Sequence, residues 1–309
     1  MTNSPPIRLA IIGVGKIARD QHLTAVAVSP DFELVATVSP HGRVNGVPGF
    51  DSIEHLLGSG VEIDAVSICT PPVGRSGIAA AAIDAGLDVM FEKPPAATLA
   101  EVEALERRAL TAGRILFASW HSREAAGVAA ARDWLAGRRI ERAQIAWRED
   151  IRRWHPGQDW ILAAGGFGVF DPGINALSIL TAILSQPVFV EAAELSIPAG
   201  RAGPVAASVK LRSDGAEISA EFDFLHQGPQ QWDISVETSQ GRLMLRQGGR
   251  VLDIDGTATE GLDQEYPRLY ARFAELIRAR QSDVDIAPLR LVADAFLIGS
   301  RRDAPEFSW

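Results

Sequence analysis

The first part of the chain alternates short apolar runs with segments of helical period. Ile7–Ile12 reads as a buried strand, and a Gly-rich turn leads from it into a helix over 16–28. Phe32–Val38 is a second strand, and 52–57 is a short helix capped by Asp51 or Ser52. The run 65–69 is a third strand. The alanine-rich stretch 74–85 is a helix, with Gly86 suited to a left-handed position after its end. After a strand at 89–91, Thr98-Leu-Ala-Glu101 has the form of a capping box. It opens a helix with Leu99, Val102, Leu105 and Ala109 on one face, ended by Gly113. A strand at 115–118 completes the pattern. Strands alternating with helices of this length predict right-handed crossovers and a parallel, doubly wound sheet.

The pattern changes after His121. A helix over 124–135 and a strand over 140–147 precede a loop rich in Trp, Arg and Gly, then a helix over 171–184. From 188 to 254 the chain is mostly alternating strands, at 188–197, 205–212, 217–224, 232–238 and 242–246. Ser213-Asp-Gly215 and Ser239-Gln-Gly241 supply hairpin turns. Helices at 266–280 and 288–300 follow. The expected architecture is α/β, with a nucleotide-binding domain over 1–121 and an α+β domain over 122–309 built on an open, mainly antiparallel sheet. The last helices are free to pack back on the first domain. One face of that antiparallel sheet is expected under helices, leaving the other for a second subunit of a homo-oligomer.

The 309 residues suffice for two cores. A net charge of −9 argues against general affinity for nucleic acid or an anionic membrane, which needs a basic face. A single cysteine, Cys69, rules out an intrachain disulfide and a thiolate metal cage. No pair among the six histidines has the spacing of a helical metal site, so no metal is expected. Residues 1–6 lack a signal-peptide pattern, and no apolar run reaches the roughly 18–20 residues of a membrane span. The expected location is the cytoplasm.

Gly13-Val-Gly15-Lys16-Ile17-Ala18 follows the first strand directly. Gly13 permits a tight turn, Gly15 lets the backbone approach a pyrophosphate, and Ala18 lets the helix sit close to the sheet. A merely structural turn is the alternative, which the placement inside a strand–turn–helix unit disfavours. At the end of the second strand, where an acid would hold the ribose of NAD, the chain has Val38-Ser39-Pro-His41-Gly-Arg43. Ser39 can donate to a 2′-phosphate, with His41 or Arg43 near it, so the reading is NADP in preference to NAD, with NAD also accepted. A plain polar loop is the competing reading.

The chain has only three lysines, Lys16, Lys93 and Lys210, among thirty cationic residues. Lys93 lies in Phe91-Glu92-Lys93-Pro94-Pro95, at the carboxyl end of a strand where such sheets bind ligands. Its ammonium can stabilise negative charge on a substrate oxygen or, if desolvated, carry a proton. An ion pair with Glu92 or another acid is the structural alternative.

Together, Gly13-Val-Gly-Lys-Ile-Ala18, Cys69-Thr70-Pro71-Pro72, Glu92-Lys-Pro94 and Gly165-Gly-Phe-Gly-Val-Phe-Asp171-Pro-Gly173-Ile-Asn175 resemble the glucose–fructose oxidoreductase/inositol dehydrogenase/rhizopine-catabolism (Gfo/Idh/MocA) family. The resemblance implies a Rossmann domain followed by an α/β domain, and a Lys93 that points into the site. It implies that Gly13, Gly15, Lys16, Ile17, Cys69, Thr70, Pro71, Glu92 and Lys93 bind the cofactor. The chain departs from the family at Asn175, where a histidine is usual. An amide cannot accept a proton as histidine does, so the base role passes to Asp171 or Lys93.

The segments 147–158, 170–175 and 283–290 further resemble the bacterial L-arabinose/D-galactose 1-dehydrogenases of that family. This implies that Lys93, Glu149, His155, Asp171 and Asn175 surround a monosaccharide, which is oxidised at C1 to the lactone. Asp171 would be the first choice as base, with Lys93 stabilising or relaying charge and Asn175 orienting the hydroxyl. Glu149 and His155 would bind ring hydroxyls. Trp154 and Trp160 would supply apolar walls or else belong to the core. Read without the resemblance, Asp171-Pro172 is a helix N-cap signature, Glu149 a surface acid paired with Arg148 or Arg152, and His155 a solvated loop residue. The functional alternatives are another sugar or cyclitol dehydrogenase, or a non-catalytic NAD(P)-sensing regulator.

Overall fold

The computed structural model describes residues 5–309. Met1–Ser4, where the absence of a signal-peptide pattern is read, lie outside the described residues. In chain order the elements are β1 (Ile7–Ile12), a π-turn (Ala18–His22), α1 (Leu23–Ala27), β2 (Phe32–Val38), β3 (Gly49–Phe50), α2 (Ile53–Leu57), β4 (Ala65–Ile68), α3 (Arg75–Asp84), β5 (Asp88–Glu92), α4 (Leu99–Ala112) and β6 (Leu116–Ser119). There follow α5 (Val128–Leu135), β7 (Ile140–Arg148), α6 (Ile151–Trp154), α7 (Phe170–Ile183), β8 (Phe189–Pro198), β9 (Ala206–Ser213), β10 (Ala216–Asp223), β11 (Gln231–Thr238), β12 (Gly241–Arg246), β13 (Val251–Ile254), β14 (Thr257–Glu260), α8 (Glu265–Ala279), α9 (Ala287–Ile298) and β15 (Ser300–Ala304). They form two units. The first takes in the chain up to Trp120 together with Tyr266–Asp285, and the second His121–Glu265 together with Ile286–Trp309.

The first unit is a parallel sheet in the order β3-β2-β1-β4-β5-β6. Both of its faces are covered, which is why its strands are apolar without alternation. Leu9 and Ile11 of β1 pack on one side with Ala25, Val26 and α8, while Ala10 and Ile12 pack on the other with Ala79 and Ile83 of α3 and Leu105 of α4. The buried stripe of α8, Tyr266, Leu269, Tyr270 and Phe273, has helical spacing, and the Phe273 ring stacks on Phe32 and Phe117. The predicted capping box forms: Thr98 Oγ1 accepts from the Glu101 N–H at 3.3 Å, and Glu101 accepts from the Thr98 N–H at 3.1 Å. Gly113 ends α4 at φ +63°.

The second unit carries nine strands in the order β14-β13-β12-β11-β7-β10-β9-β8-β15. Its neighbours are antiparallel except the pairs β7/β10 and β8/β15. Side chains alternate across it. Ala207, Val209 and Leu211 of β9 and Ile218, Ala220 and Phe222 of β10 are buried, while Lys210, Arg212, Glu217 and Glu221 are exposed. Helices α5, α7 and α9 pack on the buried face. The other face is polar, with Ser208 donating to Glu221 at 2.6 Å and Arg142 3.5 Å from Glu237. Asp214 and Gly215, both at positive φ, make the predicted β9–β10 hairpin turn.

Three sequence expectations change. The first helix is not continuous over 16–28, because a π-turn precedes a short α1. The predicted helix over 124–135 is a 3₁₀ turn, His121–Glu124, followed by the shorter α5. β15 was not predicted, because Ser-Arg-Arg-Asp-Ala is polar and pairs along the sheet edge without burying a face. No helix among the described residues is long and apolar enough to cross a membrane.

Candidate functional site

In the first unit, the turn after β1 is pressed against the end of β4. Gly13 sits at φ +93°, and a Cβ there would lie 2.8 Å from the Thr70 nitrogen and 2.9 Å from the Cys69 carbonyl carbon. Only glycine fits that position. A Cβ on Gly15 would meet nothing within 4 Å, so the outer side of the turn is clear. The Thr70 hydroxyl is buried beside this turn with no hydrogen-bond partner. A clear outer face, close backbone and an unsatisfied hydroxyl fit a dinucleotide phosphate. Lys16 is exposed and pairs with Asp20, one turn further along.

At the end of β2, Ser39 is buried and its hydroxyl oxygen accepts from the Gly42 N–H at 3.0 Å, which folds the loop. That leaves the hydroxyl proton available to a ligand. His41 is exposed. The Arg43 guanidinium donates to the Ser39 and Gly42 carbonyls and pairs with Asp51.

Lys93 follows β5 and is half-buried, joined to Pro94 by a cis peptide bond. Beneath it lies a buried polar network. The Glu92 carboxylate accepts from the Lys93 backbone N–H at 2.9 Å and from the Tyr266 hydroxyl at 2.6 Å, and lies 3.0 Å from His22 Nε2. His22 Nδ1 contacts the Tyr270 hydroxyl at 2.8 Å and the Ser67 hydroxyl at 3.2 Å. Burial alone would neutralise His22. Cys69, Tyr270 and Glu92 around it outweigh burial and hold it well above its ordinary value. Burial pushes the Tyr270 phenol up. The Cys69 thiol belongs to this network, 3.8 Å from the Ser67 hydroxyl, so it is the backbone of Cys69 that adjoins the turn. Arg75, also buried, donates to the carbonyls of Glu92 and Pro94 on either side of Lys93, and through Nε to Thr70 O at 3.0 Å.

In the second unit, Glu149 leaves the end of β7, and its N–H donates to Asp223 O at 2.9 Å. Its side chain is 3% exposed, so it is not the surface acid that the sequence also allowed. The indole N–H of Trp232 donates to Glu149 Oε2 at 2.8 Å. Arg152 lies instead near Asp150, which caps α6. His155 follows α6, with Nε2 3.9 Å from Glu149 Oε1 and 3.7 Å from Asp171 Oδ2. It is therefore not a solvated loop residue, and its ring meets the edge of Phe224. The indoles of Trp147 and Trp232 stack at 5.7 Å, and half-buried Trp154 tilts against Trp232 at 5.5 Å. Trp160 sits in a separate 3₁₀ turn, Asp159–Leu162.

Asp171 is not the N-cap of α7. The helix opens with Val169 in the capping position and no side-chain cap, so Asp171 lies inside the first turn and its carboxylate is 6% exposed. Asn175 is one turn on and half-buried, on the same side of the helix. Gly173 between them permits a close approach to the sheet, since a Cβ there would lie 2.7 Å from Phe222 Cδ1. The second unit thus gathers Glu149, His155 and Asp171 around one imidazole, with Trp154 beside them. Sequence reasoning missed Trp232, whose place in an alternating strand looks like that of any core aromatic.

The chain is 45% identical over 304 residues to a galactose 1-dehydrogenase of Pseudomonas fluorescens, covering 98% of this chain and 99% of that one. The profile of an oxidoreductase family with an NAD-binding Rossmann fold matches residues 7–119. This chain belongs to the Gfo/Idh/MocA oxidoreductase family. Among solved structures, the D-galactose-1-dehydrogenase of Rhizobium etli superimposes with a TM-score of 0.95 at 53% identity, over 100% of both chains. A structure of the same fold at 19% identity, a 3-ketoreductase from Actinomadura kijaniata in complex with NADP, superimposes with a TM-score of 0.83 over 97% of this chain and all of its own. That likeness concerns the fold alone. The Gfo/Idh/MocA fold is the sequence expectation met: a doubly wound Rossmann sheet and a mainly antiparallel second sheet.

Proposed function

We propose that the protein oxidises an aldopyranose, D-galactose with L-arabinose as a second substrate, at C1 to the lactone, using NADP in preference to NAD. The observation that carries this reading is the Glu149–His155–Asp171 cluster, two buried carboxylates on one imidazole beside tryptophan faces. Its supporting context is full-length similarity to two galactose 1-dehydrogenases. D-Galactose and L-arabinose share their configuration from C2 to C4, so residues that read those hydroxyls accept both.

In this reading Gly13, Gly15, Lys16, Ile17, Thr70 and the backbone of Cys69 and Pro71 hold the dinucleotide, with Ser39 and His41 near its ribose. When bound, the coenzyme supplies the nicotinamide C4 that accepts the C1 hydride. Asp171 takes the proton of the anomeric hydroxyl, Asn175 orients that hydroxyl, and the Lys93 ammonium stabilises charge on its oxygen. Glu149 and His155 bind ring hydroxyls, and the Trp154 face covers the apolar side of the sugar. In this reading the enzyme works in the cytoplasm. The uncovered sheet face of the second unit is where a second copy would associate.

Coenzyme reduction at the NADPH absorbance band, with a panel of aldoses, tests the reading. D-Galactose and L-arabinose should give turnover in which NADP outperforms NAD. Asp171→Ala and Lys93→Ala should each lower turnover by at least about 10², while cofactor binding survives. Turnover near normal in either variant removes that residue from the chemistry.

A further inference from the structure

Lys93 is the residue of the first unit that the proposed reaction relies on most, and its backbone is held unusually firmly. Its own N–H is taken by Glu92 Oε2 at 2.9 Å. The carbonyls before and after it, those of Glu92 and Pro94, are taken by the buried Arg75 guanidinium. The Glu92 carboxylate is not turned outward. Its other oxygen is fixed from behind by the Tyr266 hydroxyl at 2.6 Å and by His22 Nε2 at 3.0 Å. Glu92, Arg75, His22 and Tyr266 are all buried, and a buried carboxylate that accepts from several donors keeps one geometry, because any rotation leaves a charged oxygen unsatisfied. The set also accounts for the return of the chain to the first unit: α8 delivers Tyr266 and, on the far side of His22, Tyr270.

We propose that Glu92, held by His22 and Tyr266, is a positioning residue that fixes where the Lys93 side chain starts, and is not a ligand of the cofactor. This inference rests on the reading of Lys93 as the group that stabilises the substrate oxygen. The arrangement has no need of a carboxylate facing the dinucleotide. Arg75 carries the same order further. It ties the Lys93 loop to Thr70 O, and Thr70 is the residue against which Gly13 is pressed. The phosphate turn and the lysine are thus referenced to one buried guanidinium. Misplacing a reacting group by about 1 Å can cost on the order of a hundredfold in rate, so such rigidity has a kinetic consequence.

The test uses Tyr266→Phe, which deletes one hydroxyl, and Glu92→Gln, which keeps the shape and removes the charge. Each is compared with Lys93→Met. Two readouts are taken. The first is the separation of kcat from the KM of sugar and coenzyme. The second uses the protein without coenzyme: with only three lysines in the chain, the carbon-13 dimethyl-lysine signal of Lys93 can be followed by NMR against pH. Positioning predicts that both variants lose about tenfold or more in kcat, with the coenzyme KM held within about twofold. It also predicts that the Lys93 signal shifts or broadens while those of Lys16 and Lys210 stay put. If Glu92→Gln fails to fold, Tyr266→Phe carries the test alone. Normal kcat and an unmoved Lys93 signal in folded Tyr266→Phe, with Lys93→Met inactive, overturn the positioning role and leave the lysine reading intact. Normal turnover in Lys93→Met overturns the lysine reading and this inference with it.

Discussion

Trp232 donates its indole N–H to Glu149 Oε2 across 2.8 Å, from the strand next to the one that Glu149 leaves. A carboxylate 3% exposed needs such donors, and here the donor is also the middle ring of the Trp147–Trp232–Trp154 set. Trp232→Phe keeps an aromatic face and removes the donor. A hydrogen bond to a charged group contributes about 1.5–3 kcal/mol, which corresponds to roughly one to two powers of ten in an equilibrium constant. The KM for D-galactose should rise by about that factor, and the coenzyme KM should not. A sugar KM within twofold of the parent would show that Glu149 needs no help from this indole.

Gly173 lets α7 lie against β10. A methyl group there would come within 2.7 Å of Phe222 Cδ1 and 2.9 Å of Cε1, too near for the ring to stay in place. Overpacking of this kind costs about 1–3 kcal/mol. The better helix propensity of alanine offsets up to about 1 kcal/mol of that. Gly173→Ala should lower Tm and, because Asp171 and Asn175 flank the position, turnover as well. Adding Phe222→Leu to Gly173→Ala should recover part of both. A thermal scan of the single variant identical to the parent would mean that α7 moves freely on the sheet.

How far the sequence goes can be judged at these same residues. The two-face burial of the first sheet was readable from unbroken apolar runs such as Ile7–Ile12, and the capping box at Thr98 from its spacing. The destination of α8 was only half readable, because Tyr266, Leu269, Tyr270 and Phe273 show which face is buried but not which core receives it. Read without the resemblance, Asp171-Pro172 looks like a cap, but the helix begins two residues earlier than that cap requires, at Phe170, with Val169 in the capping position and no side-chain cap. Glu149 and His155 gave no local signal of burial. Their environment comes from β11 and the residue after β10: Trp232 lies 83 positions along the chain from Glu149, and Phe224 lies in a distant part of the sequence from His155. The Asp171–Asn175 spacing was legible because it is local to one helix.

His22 has its own signature in stability. Burial pushes it towards the neutral form, but Cys69, Tyr270 and the Glu92 carboxylate reverse that and raise it well above its ordinary value. A histidine whose folded pKa is raised binds its proton more tightly in the native state. Its contribution is fully present below the unfolded value of 6.5 and is lost as pH rises through the raised folded value. His22→Gln should therefore lower Tm most at about pH 6. The gap between variant and parent should narrow steadily on the alkaline side. A gap that widened with pH would mean that His22 is neutral in the folded protein.

In the proposed reading, the end of β2 tells the two coenzymes apart. Ser39 Oγ accepts from the Gly42 N–H at 3.0 Å, so the hydroxyl proton remains to be donated to a 2′-phosphate. Arg43 is occupied by Asp51 in a pair whose side chains are half or more exposed, at 50% and 62%. Exposed pairs of this kind contribute only about 0–1 kcal/mol, so the guanidinium can leave Asp51 for a doubly charged phosphate at little cost. Ser39→Asp places a negative charge where the phosphate would lie. It should raise the KM for NADP far more than that for NAD. Asp51→Asn, which frees Arg43, should act in the opposite sense and lower the KM for NADP by up to about fivefold, with NAD unchanged. Steady-state kinetics with both coenzymes at saturating sugar reads both effects. Equal changes for NADP and NAD in Ser39→Asp would assign this loop no part in telling the two apart.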